Sequence, residues 1–211
     1  MSVPAPRPIS PEEYLTFERL AETRHEYLDG MVYPRGDPDH PLDPAVVLGL
    51  RPEPHSAMAE GTRAHSRIKV NLTVAIGGYL GDGPCRLYDS DLRIRPDSSA
   101  YFYADLFVVC AAEHGANEDV EVENPTLIIE VLSPGTERVD RVTKARRYTH
   151  APSLREYVLV NSRFPEIVVR RLEEGRWLGY SYQPDEAVRL ESIALDLEFG
   201  TVYRNVQFSP A

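Results

Sequence analysis

In the apolar run Leu127-Ile128-Ile129-Glu130-Val131-Leu132, one residue has the wrong chemistry for its surroundings. A carboxylate that loses its hydration inside an apolar strand must be neutralised, paired with a cation or bound to a metal. Asp105 opens a second apolar run, LFVVC, over residues 106–110. If the two runs are neighbouring strands, Asp105 and Glu130 converge from adjacent strand ends. Two carboxylates completed by water are a usual seat for a hard cation such as Mg²⁺. Lys144 lies four residues after Asp140 and four before Tyr148, so on a helix the three share one face. Each residue also has a plain structural reading. Asp105 can accept hydrogen bonds at a strand end, Glu130 can have a structural partner, and Lys144 can simply pair with Asp140 at i,i+4. His65 suits a hydrogen-bonded position at the edge of a core.

These residues need elements to position them. Ser133-Pro134-Gly135 ends the Glu130 strand, and Thr136 is placed to cap a helix that runs to about residue 150. Upstream, a helix is expected over about 62–80. Ile68, Leu72, Ile76 and Tyr79 form its apolar stripe, and His65 extends that stripe toward its start. Strands are expected over 86–95 and 103–110, and EYVLVN (156–161) reads as another after the Thr136 helix. Helix, three strands, helix, strand makes a mixed α/β core over residues 62–161.

Around that core the chain adds an N-terminal helix and hairpin and C-terminal β-hairpins. Residues 1–9 are proline-rich and expected to be flexible. Ser10-Pro11-Glu12-Glu13 is a capping box with proline at the first helical position, and the helix should end near Thr23 with Tyr14, Phe17 and Leu20 on one face. Asp29-Gly30 is a hairpin turn between two short strands. Residues 34–60, proline-rich and containing His40 and His55, read as a long surface excursion with one helical turn around 44–50. Residues 166–206 read as a β-rich tail, beginning with a hairpin closed at Glu173-Glu174-Gly175-Arg176. No repeat or linker divides residues 1–211, so a single domain is expected.

The chain has 211 residues, 42% hydrophobic and 27% charged, the composition of an ordinary globular protein. No apolar run approaches the ~20 residues needed to span a bilayer. MSVPAPRPIS lacks the apolar core of a signal peptide, which suggests a cytoplasmic setting. Cys85 and Cys110 are the two cysteines, with no CxxC or Cys/His cluster, so neither a disulfide framework nor a zinc site is expected. A net charge of −10 argues against broad coating of nucleic acid. A local basic groove is compatible with it, since Arg138, Arg141, Lys144, Arg146 and Arg147 fall on the Thr136 helix and its entrance. The glycines of IGGYLGDG close a helix and make no phosphate loop, Ser133 lacks a nucleophile elbow, and Asn71-Leu72-Thr73 is a chance glycosylation match.

AHSRIKVNL, PCRLYDSDLRIRP, YFYADLFVVC, NPTLIIEVLSPGTERVDRVTKARRY and PSLREYVLVNS occur in an order and spacing that resemble the Uma-two family. That family belongs to the PD-(D/E)xK nuclease superfamily, and the resemblance covers roughly residues 10–205. It implies a restriction-endonuclease-like α/β core in which Asp105 matches the aspartate of "PD" and Glu130 the acid of "(D/E)xK". In that mechanism the two acids hold Mg²⁺ or Mn²⁺ and a lysine stabilises developing negative charge. This sequence has Ala104 where proline would precede the aspartate, and Leu132 where the lysine would stand. The family pattern puts the lysine on the helix, here Lys144. Glu26 and Asp91 match family positions as supporting residues, and His65 is expected to line the same pocket. The resemblance implies an endonuclease hydrolysing DNA with a divalent cation. Separately, the edges of the 166–206 tail could pair with a second copy, giving a homodimer, and no apolar run points to a membrane. Leu132, Asn161 in place of a frequent aspartate, and the acidic charge favour an alternative, a non-catalytic module binding nucleic acid or protein.

Overall fold

The structure, a computed structural model, describes residues 7–53, 61–110 and 120–208. In chain order it contains α1 (Pro11–Glu18), β1 (His25–Leu28), β2 (Met31–Pro34), α2 (Pro44–Val47), α3 (Arg63–Leu80), β3 (Cys85–Asp89), β4 (Arg93–Asp97) and β5 (Ala100–Phe102). There follow β6 (Leu106–Cys110), β7 (Glu121–Val122), β8 (Leu127–Leu132), a π-helical segment (Val139–Lys144), α4 (Ala145–Tyr148) and β9 (Glu156–Asn161). The C-terminal part holds β10 (Ile167–Glu173), β11 (Arg176–Tyr182), β12 (Ala187–Leu190), β13 (Leu195–Glu198) and α5 (Phe199–Val202). The result is the expected mixed α/β architecture.

Two sheets carry the fold. The larger has six strands in the order β11-β10-β9-β8-β6-β3, and the smaller has five in the order β2-β1-β5-β4-β7. β8, in the middle of the larger sheet, is buried along its whole length. Alternation along β8 separates two cores. Leu127, Ile129 and Val131 join Ile68, Leu72 and Ile76 of α3 on one face, together with the C-terminal strands and α5. Ile128 and Leu132 join Phe107, Ala145, Tyr148 and Tyr157 on the other. Glu130 points to that second face, beneath the π-helical segment and α4.

Local rules account for the elements. Ser10 and Glu13 form the capping box of α1, and Thr62 caps α3. Asp29 and Gly30 turn the β1–β2 hairpin at φ 49° and 87°, and Glu174 and Gly175 turn β10–β11 at 47° and 77°, the left-handed pair that two-residue hairpins require. Asn71, in the chance glycosylation match, ties α3 to the C-terminal segment by donating to the carbonyls of Val202 and Arg204, each at 2.9 Å.

Several expectations are corrected. The stretch 86–95 is two strands, because the turn at 90–92 passes the chain from the larger sheet (β3) to the smaller (β4). Residues 103–110 likewise divide. Residues 103–105 leave the smaller sheet after β5 and enter the larger at β6. α1 stops at Glu18, so Leu20 is 83% exposed and is no part of the buried face. At the end of the 1–9 stretch Ile9 is buried, its N–H donating to Gly30 O and its carbonyl accepting from Tyr27 Oη. Residues 1–6 lie outside the described residues. Within 34–60, Val46 and Val47 of α2 are buried, Val47 in the cluster around Tyr14, while 54–60, with His55, lies outside the described residues.

The cysteines also depart from expectation. Cys85 and Cys110 are a register pair on antiparallel β3 and β6 and form a disulfide. They are 25 apart in sequence, and only the strand pairing brings them together.

Candidate metal and phosphate site

The site is built where the chain passes between sheets. Asp105 stands just before β6, and the β6–β8 register (Leu106 opposite Ile129) extends to place it opposite Glu130. Each carboxylate bonds the other strand's backbone. Asp105 N–H donates to Glu130 Oε2 at 3.1 Å, and Val131 N–H donates to Asp105 Oδ2 at 2.9 Å. Backbone groups freed by the break at 103–105 are satisfied by site residues as well. Tyr103 N–H donates to Glu26 Oε1 at 3.2 Å, and Lys144 Nζ donates to Tyr103 O at 3.4 Å. The acids that could hold a cation therefore also close the strand break.

Lys144 reaches this point from the helical layer over the Glu130 face. Its Nζ lies 3.0 Å from Glu26 Oε1, 3.2 Å from Glu130 Oε1 and 3.4 Å from Asp140 Oδ1. Tyr148 Oη donates to Glu130 Oε1 at 3.3 Å. Asp140, Lys144 and Tyr148 thus converge as their spacing suggests, although Val139–Lys144 is π-helical where an α-helix was expected. Such wide turns recur at functional sites. Residues two apart on a strand face the same way, so a lysine at 132 would point to the face on which Glu130 and Lys144 meet. Leu132 is instead core, and the ammonium arrives from the covering helix.

One buried ammonium among three buried carboxylates sets the electrostatics. Burial pushes the Glu130 carboxyl up to about 8, against the pull of Lys144 and with the help of Asp140, Asp105 and Glu26. Burial raises Asp140 in the same way, again opposed by Lys144. Burial works against the Lys144 ammonium, but the charges of Glu130, Glu26 and Asp140 outweigh it and hold the amine well above its ordinary range. The two directions are compatible, because three carboxylates cannot all ionise around one cation in a dry site. The cluster keeps a proton near neutral pH, seated first on Glu130, and Lys144 stays charged.

Asp105 has the opposite environment. Burial pushes its carboxyl up, but the His65 hydrogen bond and charge, the Val131 N–H and the Lys69 ammonium outweigh it and hold it at about 2. His65 Nε2 is 3.2 Å from Asp105 Oδ2, while Arg35 Nη2 and Lys69 Nζ stand 3.6 and 3.8 Å from Oδ1. Together with Glu130, Ser133 and Thr136 these groups border a cavity of about 400 Å³.

Of the residues picked from sequence, Asp105, Glu130, Lys144, Glu26 and His65 line this cavity. Asp91 does not. It sits in the turn between β3 and β4, 80% exposed, and pairs with Arg24 at 3.2 Å, because the strand expected to carry it is broken there. Sequence reasoning passed over Arg24, Arg35 and Lys69. Lys69 follows His65 by one helical turn and was accessible from spacing, whereas the two arginines flank a hairpin whose docking no local pattern reveals.

The model of the Uma2 family, described as "Putative restriction endonuclease", matches residues 53–203. From Synechocystis sp., "Uncharacterized protein slr1290" is 34% identical over 209 residues, 98% of this chain and 97% of its own length. "Uncharacterized protein sll1609" from the same organism is 27% identical over 163 residues, 76% of this chain and 79% of its own. The crystal structure of "a putative nuclease belonging to DUF820" from Anabaena variabilis shares the fold at TM-score 0.65 and 20% identity, covering 93% of this chain and 98% of that one. With a family match over most of its length and a relative aligned nearly end to end, the chain belongs to the Uma2 family.

Proposed function

We propose that this protein is a divalent-metal-dependent endonuclease hydrolysing DNA phosphodiester bonds, with Asp105 and Glu130 as ligands for Mg²⁺ or Mn²⁺ and Lys144 as the catalytic lysine. The observation that carries this reading is the meeting of Asp105 and Glu130 from adjacent strands with Lys144 Nζ 3.2 Å from Glu130. The donor set fits a hard cation, being all carboxylate oxygen. Asp140 Oδ1, 3.4 Å from Lys144 Nζ, is engaged by the ammonium and is not counted as a ligand. Among the described residues no three acidic, imidazole or thiol groups converge at ligating distance, so two carboxylates completed by water and substrate oxygens is the count that fits.

Bound there, the cation supplies an acidified, oriented water and neutralises charge on the phosphate. The protein's own groups supply the rest. Lys144, held charged by its three acids, stabilises negative charge developing on phosphate oxygens and is no proton acceptor. Glu130 would hold the cation as a carboxylate, so its proton would have to be lost for it to serve as a ligand. Asp105, ionised at all ordinary pH, needs no such loss. Glu26 and Asp140 keep the ammonium aimed at Glu130.

A second reading, a non-catalytic nucleic-acid- or protein-binding module, is favoured by one observation. The same acids and lysine satisfy the backbone at 103–105, so the fold needs them even without chemistry. Calorimetric titration of Mn²⁺ into the parent and into Asp105→Asn and Glu130→Gln separates the two. Binding to the parent that is lost in both variants supports the nuclease, and no binding to the parent, with or without oligonucleotide, supports the module. Among the described residues no helix is long and apolar enough to cross a membrane, and our reading places the activity in the cytoplasm with its DNA. It also takes the chain as a homodimer paired through β11, one of the two outer strands of the larger sheet and part of the C-terminal tail. Light scattering that returns the mass of one chain would remove that part.

A further inference from the structure

We infer that the cavity accepts a single strand of DNA, and that Arg35 and Arg24, both stacked on Tyr103, grip a phosphate of that strand beside Asp105. This deepens the nuclease reading and rests on it for the identity of the polymer. Three observations support the inference.

The first is unused donor capacity. At 3.6 Å the contact of Arg35 with Asp105 is an ion pair, too long for a good hydrogen bond. Lys69, at 3.8 Å from the same carboxylate, donates to Ser90 Oγ at 3.1 Å and has further ammonium donors. These cations give Asp105 charge without consuming the planar fork that suits a phosphate.

The second is that the fork is built in. The guanidinium carbons of Arg24 and Arg35 lie 5.1 and 5.9 Å from the centroid of the Tyr103 ring. Tyr103 is itself pinned, its Oη donating to buried Glu18 at 2.8 Å and its N–H to Glu26. Stacking on a fixed ring limits the rotamer freedom a guanidinium would lose on binding an anion.

The third is the shape of the mouth. Asp105 and Glu130 are only 7% and 3% exposed, on the floor of a cavity whose 400 Å³ is the size of small-ligand sites. The loop after β2 closes one side and reaches the turn after β8. Arg138 pairs with Asp39, and a Cβ placed on Gly135 would touch Gly36 O at 3.9 Å. Duplex DNA is read by elements lying open in its grooves. Acids sunk beneath such a strap are reached by a strand whose neighbours can splay apart.

Fluorescence anisotropy tests this with a 3′-fluorescein 12-nucleotide single strand and the same sequence as a blunt duplex, in Ca²⁺, on the full chain. The parent should bind the single strand at least tenfold more tightly than the duplex. Arg35→Ala and Arg24→Ala should each weaken the single strand at least tenfold, and Arg35→Lys should recover part of the loss. Arg24, 45% exposed in its side chain, provides a variant whose fold is not at risk, and melting curves check both. Equal or tighter duplex binding, or arginine variants that match the parent, overturns the inference. Its failure is separable from that of the nuclease reading, which Mn²⁺ calorimetry on the parent and its two acid variants decides. Arginine-dependent strand binding without a Mn²⁺ site leaves the pocket standing and removes the nuclease, and Mn²⁺ binding without arginine dependence does the reverse.

Discussion

Replacing Lys144 by methionine removes the ammonium that lies 3.0–3.4 Å from Glu26, Glu130 and Asp140 and leaves a tail of similar length. With Glu130 already holding a proton, the cluster must neutralise one more carboxylate to stay buried. Taking that group as Asp140, with an ordinary value of 3.8, protonation costs about 1.4 kcal/mol for each pH unit above that value. The expected destabilisation is therefore about 4 kcal/mol at pH 7 and about 2 kcal/mol at pH 5, in the range for breaking one side of a buried ion pair. Urea unfolding followed by circular dichroism reads this directly. With a slope of about 2 kcal/mol/M the midpoint should fall by about 2 M at pH 7 and about 1 M at pH 5. A parental midpoint for Lys144→Met at pH 7, or a deficit of equal size at both pH values, would refute the three-acid cluster.

Other perturbations test other parts of the structure. The Glu130 carboxyl is raised in the folded chain, from 4.5 to about 8, so its contribution to stability is complete below 4.5 and is lost as pH rises through 8. The urea midpoint should decline from pH 6 to pH 9 in the parent and decline less in Glu130→Gln, and parallel profiles would place the proton elsewhere. Leu72→Ala opens a cavity between α3 and β8, where Leu72 is 2% exposed, and should cost about 2–5 kcal/mol in the same assay. Gly30→Ala meets two obstacles, a φ of +87° and a Cβ 2.6 Å from Pro8 Cβ. It should lower stability by about 2 kcal/mol, whereas an unchanged midpoint would mean that residues 7–9 do not pack on the hairpin turn.

The amino-acid sequence on its own determined what is local. A capping box needs only Ser10 and Glu13 three apart, an Asp-Gly or Glu-Gly pair makes its own turn, and α3 shows its buried face through Ile68, Leu72 and Ile76. Glu130 stood out for the same reason, since its misfit is with its immediate neighbours. Asp105 at the head of a second apolar run and Lys144 on the following helix stood out from the residues as well, and family spacing tied them to Glu130 and added Glu26. Tertiary structure alone decided what depends on pairing between distant segments. The turns at 90–92 and 103–105 look like continuous strand because nothing local marks a change of sheet, and that change exposes Asp91 and seats Asp105. Cys85 and Cys110 meet only through the β3–β6 register. Arg24 and Arg35 reach Tyr103 only because the hairpin between them docks through a buried Glu26 that bonds both the strand break and Lys144. Short-range preferences are written residue by residue, whereas the convergence of one ammonium, four acids and a cationic fork on a single cavity is a property of packing.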